Sequence, residues 1–408
     1  MEQNDEKYLQ QQMTFAVQKS DEINNMLGQA TDMFHHYENK ARELKVKLGL
    51  ESGNMQSKEI ITTKEEILSF IKRIIETSIH DKTLQKMLLK SLDEVVLTGD
   101  FVVAEPGEEF SVAGGVSLTP YKKGEDVRKT FSVVMGENKG GKIKTELGQI
   151  MVVFHELFHS ISSKFDTKRI TKNYDKYGES RNIKAQEIGE VESIFAEKLF
   201  LDIIEERAKT GELPFDYSSE DELMADIYLL KSRQVAEFCN HSKDVVDTQN
   251  IGRTGNSKEY HFRYVVGYAD ASVLFDEYLK GKTKQNNKAL KSLVKFLQKQ
   301  YTLSMDEAVK IITDKKFKSY GQIIEEVNNI HHKNIEDLIH GENAEHTITE
   351  EILGEEDLDS KPVISKVAPD AVKQEKGVTD ESVRHYVVKN GPINQDQMVH
   401  GEDEREKQ

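Results

Sequence analysis

One cysteine, no tryptophan and only six prolines in 408 residues set the first constraints. A lone Cys239 excludes a disulfide scaffold and any zinc site built from several thiolates, and it fits a reducing compartment. Nowhere do 18 apolar residues run together, so no membrane-spanning helix and no membrane partner are expected. Basic residues are in deficit, 56 against 72 acidic ones. That balance argues against a nucleic-acid partner, because phosphate backbones call for a basic footprint. The opening residues, MEQNDEKYLQ, are charged and lack an apolar core. No secretory signal is read there, and the expected location is cytoplasmic.

What is present is unevenly spread. Pro106, Pro120 and Pro214 precede residue 340, while Pro362, Pro369 and Pro392 fall in the last 68 residues. Residues 341–408 carry 17 acidic against 8 basic side chains, so −9 of the net −16 lies there. That stretch has no sustained hydrophobic period and reads as a disordered acidic tail. Before it, scarce proline and long 3.6-residue periods read as helices. Residues 5–48 look like one or two amphipathic helices, giving an N-terminal helical segment over 1–55. Thr63-Lys64-Glu65-Glu66 is a capping box that opens a helix towards Ile79, and another helix follows over Leu84–Leu97. Between Phe101 and Asn138 glycines cluster, and Lys129–Met135 (KTFSVVM) is the one convincing strand. Helical periodicity returns after Gly140-Gly141 and lasts almost to residue 340. The fold class expected is mainly α, with one small β-sheet and a disordered C-terminal tail.

Residues 150–163, IMVVFHELFHSISS, contain His155-Glu156-Leu157-Phe158-His159, an H-E-x-x-H pattern. On a helix, residues i and i+4 lie one above the other, so both imidazoles can face one point. Two neutral imidazole nitrogens suit a tetrahedral zinc ion, and Glu156 is placed to take a proton from a zinc-bound water. Chance would give roughly 0.05 such matches in a chain of this composition. The flanks are apolar, so this helix is expected to be buried, and its polar side chains then need partners. A third ligand has to come from another element. Residues 186–200, QEIGEVESIFAEKLF, read as an amphipathic helix carrying Glu187, Glu190, Glu192 and Glu197. On that helix Glu190, Ile194 and Glu197 share a face, while Glu192 lies about 200° from Glu190 and points elsewhere. Composition and periodicity leave the choice among these glutamates open.

With these residues in view, the sequence resembles the oligoendopeptidase F and thimet oligopeptidase family of zinc metallopeptidases, over roughly residues 35–330. The family follows its zinc helix with E-V/I-x-S and a further Glu four residues on. Glu190-Val191-Glu192-Ser193 and Glu197 match, which implies Glu190 as the third ligand and Glu197 as a carboxylate behind the ligands. The resemblance further implies that Phe131–Met135 is an edge strand on which a substrate peptide lies. His261-Phe262-Arg263-Tyr264-Val265-Val266-Gly267-Tyr268 is similar to the family's His- and Tyr-rich segment, implying His261, Tyr264 and Tyr268 as donors to a developing oxyanion. Those three share one side of a helix at i, i+3 and i+7. The chain departs from the family at Phe158, where relatives carry Gly, and at Ser162, where many carry His. A longer His159-to-Glu190 spacing places an extra loop around Lys164–Asn182. Most of the helical N-terminal half that roofs the family's channel is missing, which implies an open cleft or a roof supplied by a homo-oligomer.

The function implied is that of a zinc-dependent metalloendopeptidase acting on short extended peptides, with residues 56–340 as its catalytic domain. One zinc ion would sit on His155, His159 and Glu190, with zinc-bound water as nucleophile and Glu156 as general base. The alternative is a non-catalytic helical interaction protein that retains a structural zinc site; Glu156 counts against it, since a structural ion needs no base. Other features carry only structural readings. The pairs His35-His36 and His331-His332 point about 100° apart on a helix. Cys239 reads as a small core residue, and GRTG at 252–255 lacks the lysine and spacing of a phosphate loop. The Lys-rich run over 282–299 reads as a solvated helix surface.

Overall fold

The computed structural model describes residues 20–50, 55–98, 101–104, 114–118, 129–135, 137–177, 188–246, 258–282 and 287–353. Helix α1 (Ser20–Lys47) leads to strand β1 (Ile60–Thr62), then α2 (Lys64–Ser78) and α3 (Lys82–Thr98). Strands β2 (Phe101–Ala104), β3 (Gly114–Leu118), β4 (Lys129–Met135), β5 (Glu137–Lys139) and β6 (Lys142–Thr145) follow. The rest is helical: α4 (Leu147–Tyr177), α5 (Val191–Lys209), α6 (Glu220–Val246), α7 (Lys258–Lys280), α8 (Lys288–Leu297), a 3₁₀ turn at Gln300–Thr302, α9 (Met305–Ile312) and α10 (Tyr320–Leu353). The protein is thus mainly α. No helix among the described residues is long and apolar enough to cross a membrane.

Most helices show a one-sided apolar stripe. In α1, Ile23, Met26, Ala30, Met33 and Ala41 are buried, and the helix packs along α6 and α10. Helix α2 starts at its capping box: Thr63 Oγ1 accepts from the Glu66 N–H at 3.1 Å, and Glu66 Oε2 accepts from the Thr63 N–H at 2.9 Å. Its buried face is Ile67, Phe70, Ile71, Ile74 and Ile75, each such side chain contributing about 1.5–3 kcal/mol when fully buried. In α8, Leu290, Leu293, Val294 and Leu297 are buried while Lys288, Lys291 and Lys295 stand exposed, as a solvated surface requires.

Helix α4 is different. Ile150, Met151, Val153, Phe154, Leu157, Phe158 and Ile161 bury most of its circumference, so its first half runs through the interior. It packs against α3, α5 and strands β3 and β4. The helix continues to Tyr177, so the extra loop expected from Lys164 is helical over that part. Neither Gly nor Pro occurs between Lys164 and Tyr177 to stop it.

Strands exceed expectation. β5 and β6 form a hairpin over Gly140 and Gly141, at φ +62° and +87°, the positive values that a tight hairpin turn demands. β6 also pairs antiparallel with β1, Ile60 opposite Thr145. A second sheet has the order β2-β4-β3, with β2 parallel and β3 antiparallel to β4. Two three-stranded sheets therefore stand where one was expected: β1, β5 and β6 form one, and in the other Gly114 and Gly115, within the glycine cluster, pair as strand with Val133 and Ser132. β4 is central rather than the edge implied by the resemblance, since both sides of its ladder are taken; β2 and β3 are the edges. Residues 354–408 of the expected tail, Glu187 and the GRTG stretch lie outside the described residues, and α10 itself crosses position 341.

A buried ionic anchor ties α1 to α6. Lys45 Nζ lies 3.8 Å from Asp226 Oδ1 and also donates to the Gln56 carbonyl. Asp226 Oδ2 accepts from Tyr217 Oη at 2.7 Å and from the Lys58 N–H at 2.8 Å. Burial raises the pKa of Asp226 and lowers that of Lys45, so each ion needs the other. Asp226→Ala leaves a buried ammonium without its counter-charge and is expected to cost about 3–5 kcal/mol in urea unfolding. Lys47→Ala, which removes the exposed bridge to Asp221, is expected to cost less than about 1 kcal/mol in the same titration.

Candidate metal centre

His155 and His159 project from one face of α4, their ring centroids 4.9 Å apart. Glu190, at the N-cap of α5, meets them: its Oε2 is 3.2 Å from His159 Nε2 and 3.9 Å from His155 Nε2. One ligand atom from each of the three lies within 4.8 Å of the others, and no second such group occurs among the described residues. Glu190 itself is not helical, with φ −110° and ψ 4°. The Ser193 hydroxyl steadies it, lying 3.1 Å from both the Glu190 carbonyl and Oε2. Glu156 is 4 % exposed, with Oε1 3.7 Å from His155 Nε2. Both imidazoles remain partly open to solvent.

Behind each imidazole stands a carboxylate. His155 Nδ1 is 2.7 Å from Glu197 Oε1, and Glu197 Oε2 accepts from Gln234 Nε2 at 2.9 Å. His159 Nδ1 is 3.1 Å from Glu192 Oε1, which also accepts from Ser162 Oγ at 3.0 Å. Glu192 Oε2 accepts from Gln300 Nε2 at 2.6 Å. A carboxylate at Nδ1 keeps the proton there and leaves the Nε2 lone pair directed at the common point. Two nitrogens and one carboxylate oxygen make a His₂Glu set that suits zinc, and the backing carboxylates are those a bound divalent cation would favour.

The helical wheel that sends Glu192 away from Glu190 treats both residues as helical. Because Glu190 stands outside α5, the two carboxylates reach His159 from opposite ends of its ring. Glu197 takes the backing place implied by the resemblance. Sequence reasoning missed Gln234, Gln300 and the role of Glu192. A buried, uncharged polar residue leaves no periodic signal that names its partner.

Helix α7 meets the cluster through Arg263 and Gly267, one position before the face expected. Arg263 Nη1 lies 3.7 Å from Glu190 Oε1. A Cβ at position 267 would come within 2.8 Å of Glu190 Cβ, so this glycine lets the two backbones close up. His261 Nδ1 lies 2.9 Å from His241 Nδ1 and 3.4 Å from Asp244 Oδ2. Tyr264 stacks on His241, centroids 4.3 Å apart and planes within 6°. Tyr268 is buried against Phe238, its hydroxyl 3.2 Å from His331 Nε2 on α10. His261 and Tyr264 therefore gather around His241, and Tyr268 faces the core. The sequence signal for the face that meets Glu190 was Gly267 itself, since a mid-helix glycine costs about 1 kcal/mol unless something needs the space. Gly267→Ala is expected to lower stability by about 1–3 kcal/mol through overpacking, with weaker zinc uptake as Glu190 is displaced; thermal unfolding and a chelator competition read the two effects.

Burial opposes charge on both imidazoles. The Glu197 hydrogen bond and the Glu156 charge nevertheless raise the pKa of His155, and Glu190 and Glu192 raise that of His159 well above its usual value. Burial likewise opposes the Glu190 carboxylate, yet His159, Arg263 and His155 hold its pKa down at about 2. Without an ion, protons on the imidazoles offset the carboxylates; a divalent cation would displace those protons as it bound. Raised histidine values stabilise the ion-free fold fully below the ordinary 6.5, and that contribution fades as pH climbs through the raised values. The rise in Tm on adding zinc is therefore expected to grow between about pH 6 and pH 8. Thermal unfolding with and without zinc across that range checks it; a rise independent of pH would contradict it.

No protein-family profile and no curated protein matches the chain. Among solved structures, it is distantly similar to a provisionally assigned oligoendopeptidase F from Bacillus anthracis str. Ames, at 13% identity and TM-score 0.49 over 78% of this chain and 56% of that one. It is similarly close to a provisionally assigned peptidase from Chlamydophila abortus, at 16% identity and TM-score 0.46 over 80% of this chain and 55% of that one. The chain thus spans just over half the length of either protein. Likeness at this level is too slight to transfer a residue's role, so each role rests on the chain's own geometry.

Proposed function

We propose that the chain is a zinc-dependent metallopeptidase hydrolysing short, extended peptides. The observation that carries this reading is the buried Glu156 beside the point where His155, His159 and Glu190 converge. A purely structural ion has no use for a carboxylate on the Nε2 side of the imidazoles that is not one of its three ligands. Zinc held by those three residues would supply Lewis acidity towards a scissile carbonyl and acidify water at its open position.

The remaining work falls to the protein. Glu156 accepts the proton of the attacking water and returns it to the leaving nitrogen. Glu192 and Glu197 keep the imidazoles turned with Nε2 inward. His261 and Tyr264 are the donors we assign to the developing oxyanion. Tyr268, engaged with His331, seats α7 from the core side. An extended peptide would add to β3, the edge strand that also lies against α4.

Glu156→Gln is expected to lower kcat/KM on peptides by about 100- to 10,000-fold, while zinc content and Tm stay at wild-type values. Digestion of a mixed peptide library, read by mass spectrometry with and without chelator, makes the measurement. Peptide cleavage that survives in this variant would sink the assignment. Zinc uptake without cleavage in the wild type would favour a structural ion in an interaction protein.

A further inference from the structure

We infer that Gln300 is a positioning residue of the metal centre, fixing the carboxylate that orients His159; the inference rests on the zinc reading above. Gln300 lies in the 3₁₀ turn after α8, far along the chain from α4 and α5, and is 1 % exposed. Its Nε2 donates to Glu192 Oε2 at 2.6 Å and to the Ile188 carbonyl at 2.9 Å. Glu192 in turn meets His159 Nδ1, and Ile188 lies in the turn that delivers Glu190. One carboxamide therefore holds both ends of the segment 188–192, which carries Glu190 and, through Glu192, meets His159 on α4.

Two further observations separate positioning from packing. Gln300 Oε1 is buried and has no hydrogen-bond partner among the described residues. Mere filling of that space would be served better by an apolar side chain, because an unmatched buried amide oxygen costs about 1–3 kcal/mol. Turning the amide over would set its oxygen against Glu192 Oε2 and the Ile188 carbonyl, both acceptors, so the donor orientation is the one the surroundings permit. The same arrangement also occurs at the other imidazole, where Gln234 Nε2 donates to Glu197 Oε2 and Glu197 meets His155 Nδ1. A neutral donor suits both places. It holds a carboxylate oxygen in direction without cancelling the negative charge that the imidazole N–H faces, as an ammonium would.

The test is zinc affinity of the full chain, measured by competition with a chromophoric chelator, for wild type, Gln300→Met, Glu192→Gln and the double variant. Methionine keeps the volume and removes both N–H donors. Q300M is expected to bind zinc about 10- to 100-fold more weakly. In the Glu192→Gln background the same change is expected to add little, because Gln300 acts through Glu192. Unchanged affinity in Q300M, or a loss that adds in full to that of Glu192→Gln, would overturn the inference while leaving the zinc reading intact. A wild-type chain that takes up no zinc would overturn both. If Q300M does not fold, Gln300→Asn, whose amide falls one methylene short of Glu192, takes its place, and wild-type affinity in that variant would equally overturn the role.

Discussion

Buried negative charge has to be answered by something positive or by hydrogen-bond donors, and that requirement organises the interior of this protein. Glu156, Glu190 and Glu192 are buried and Glu197 nearly so, all within one neighbourhood on α4 and α5. Isolated carboxylates in such a setting would cost many kcal/mol or give up their charge. Here two imidazoles, Arg263, two serine hydroxyls and two glutamine amides face them. The helices that supply these groups, α4 to α7 and the turn after α8, are thereby held in one mutual arrangement. A dication at the common point would complete the balance with a single charge centre.

Part of this was legible in the sequence and part was not, for physical reasons. H-E-x-x-H is readable because a helix converts a four-residue spacing into proximity, and α4 does so. The capping box at Thr63 and the strand Lys129–Met135 are local in the same sense and stand where expected. Glu190 could not be singled out by periodicity, since it is the residue at which periodicity starts. Treating it as helical is also what hid Glu192 behind His159. On α7 the chemistry of His261, Tyr264 and Tyr268 drew attention one position away from Arg263 and Gly267, the residues that lie against Glu190. Sheet order was beyond reach, because which strand is central depends on partners 11 to 31 residues away.

The hydrophobic framework around the centre is asymmetric in a useful way. The His155–His159 turn of α4 is enclosed by Phe154, Leu157 and Phe158 on its inner sides, with Phe154 edge-on to Phe158. The His155–His159 side alone keeps contact with solvent. An aromatic at position 158 thus adds packing beneath the ligands, where a smaller residue would let neighbouring elements come nearer. The anchor of Lys45 and Asp226 lies elsewhere, joining α1 to α6. The two polar clusters therefore stabilise different pairs of helices.

The bond between Gln300 and Glu192 spans 108 residues of sequence. At a synthesis rate of about 5–20 residues per second, the ribosome takes about 5–20 s to travel that distance. During that interval a growing chain already carries the H-E-x-x-H helix and Glu190 but lacks the amide that braces them. Maturation of the centre is in this way tied to arrival of the segment after α8, so a chain interrupted before residue 300 carries every proposed ligand yet only an unfinished cradle.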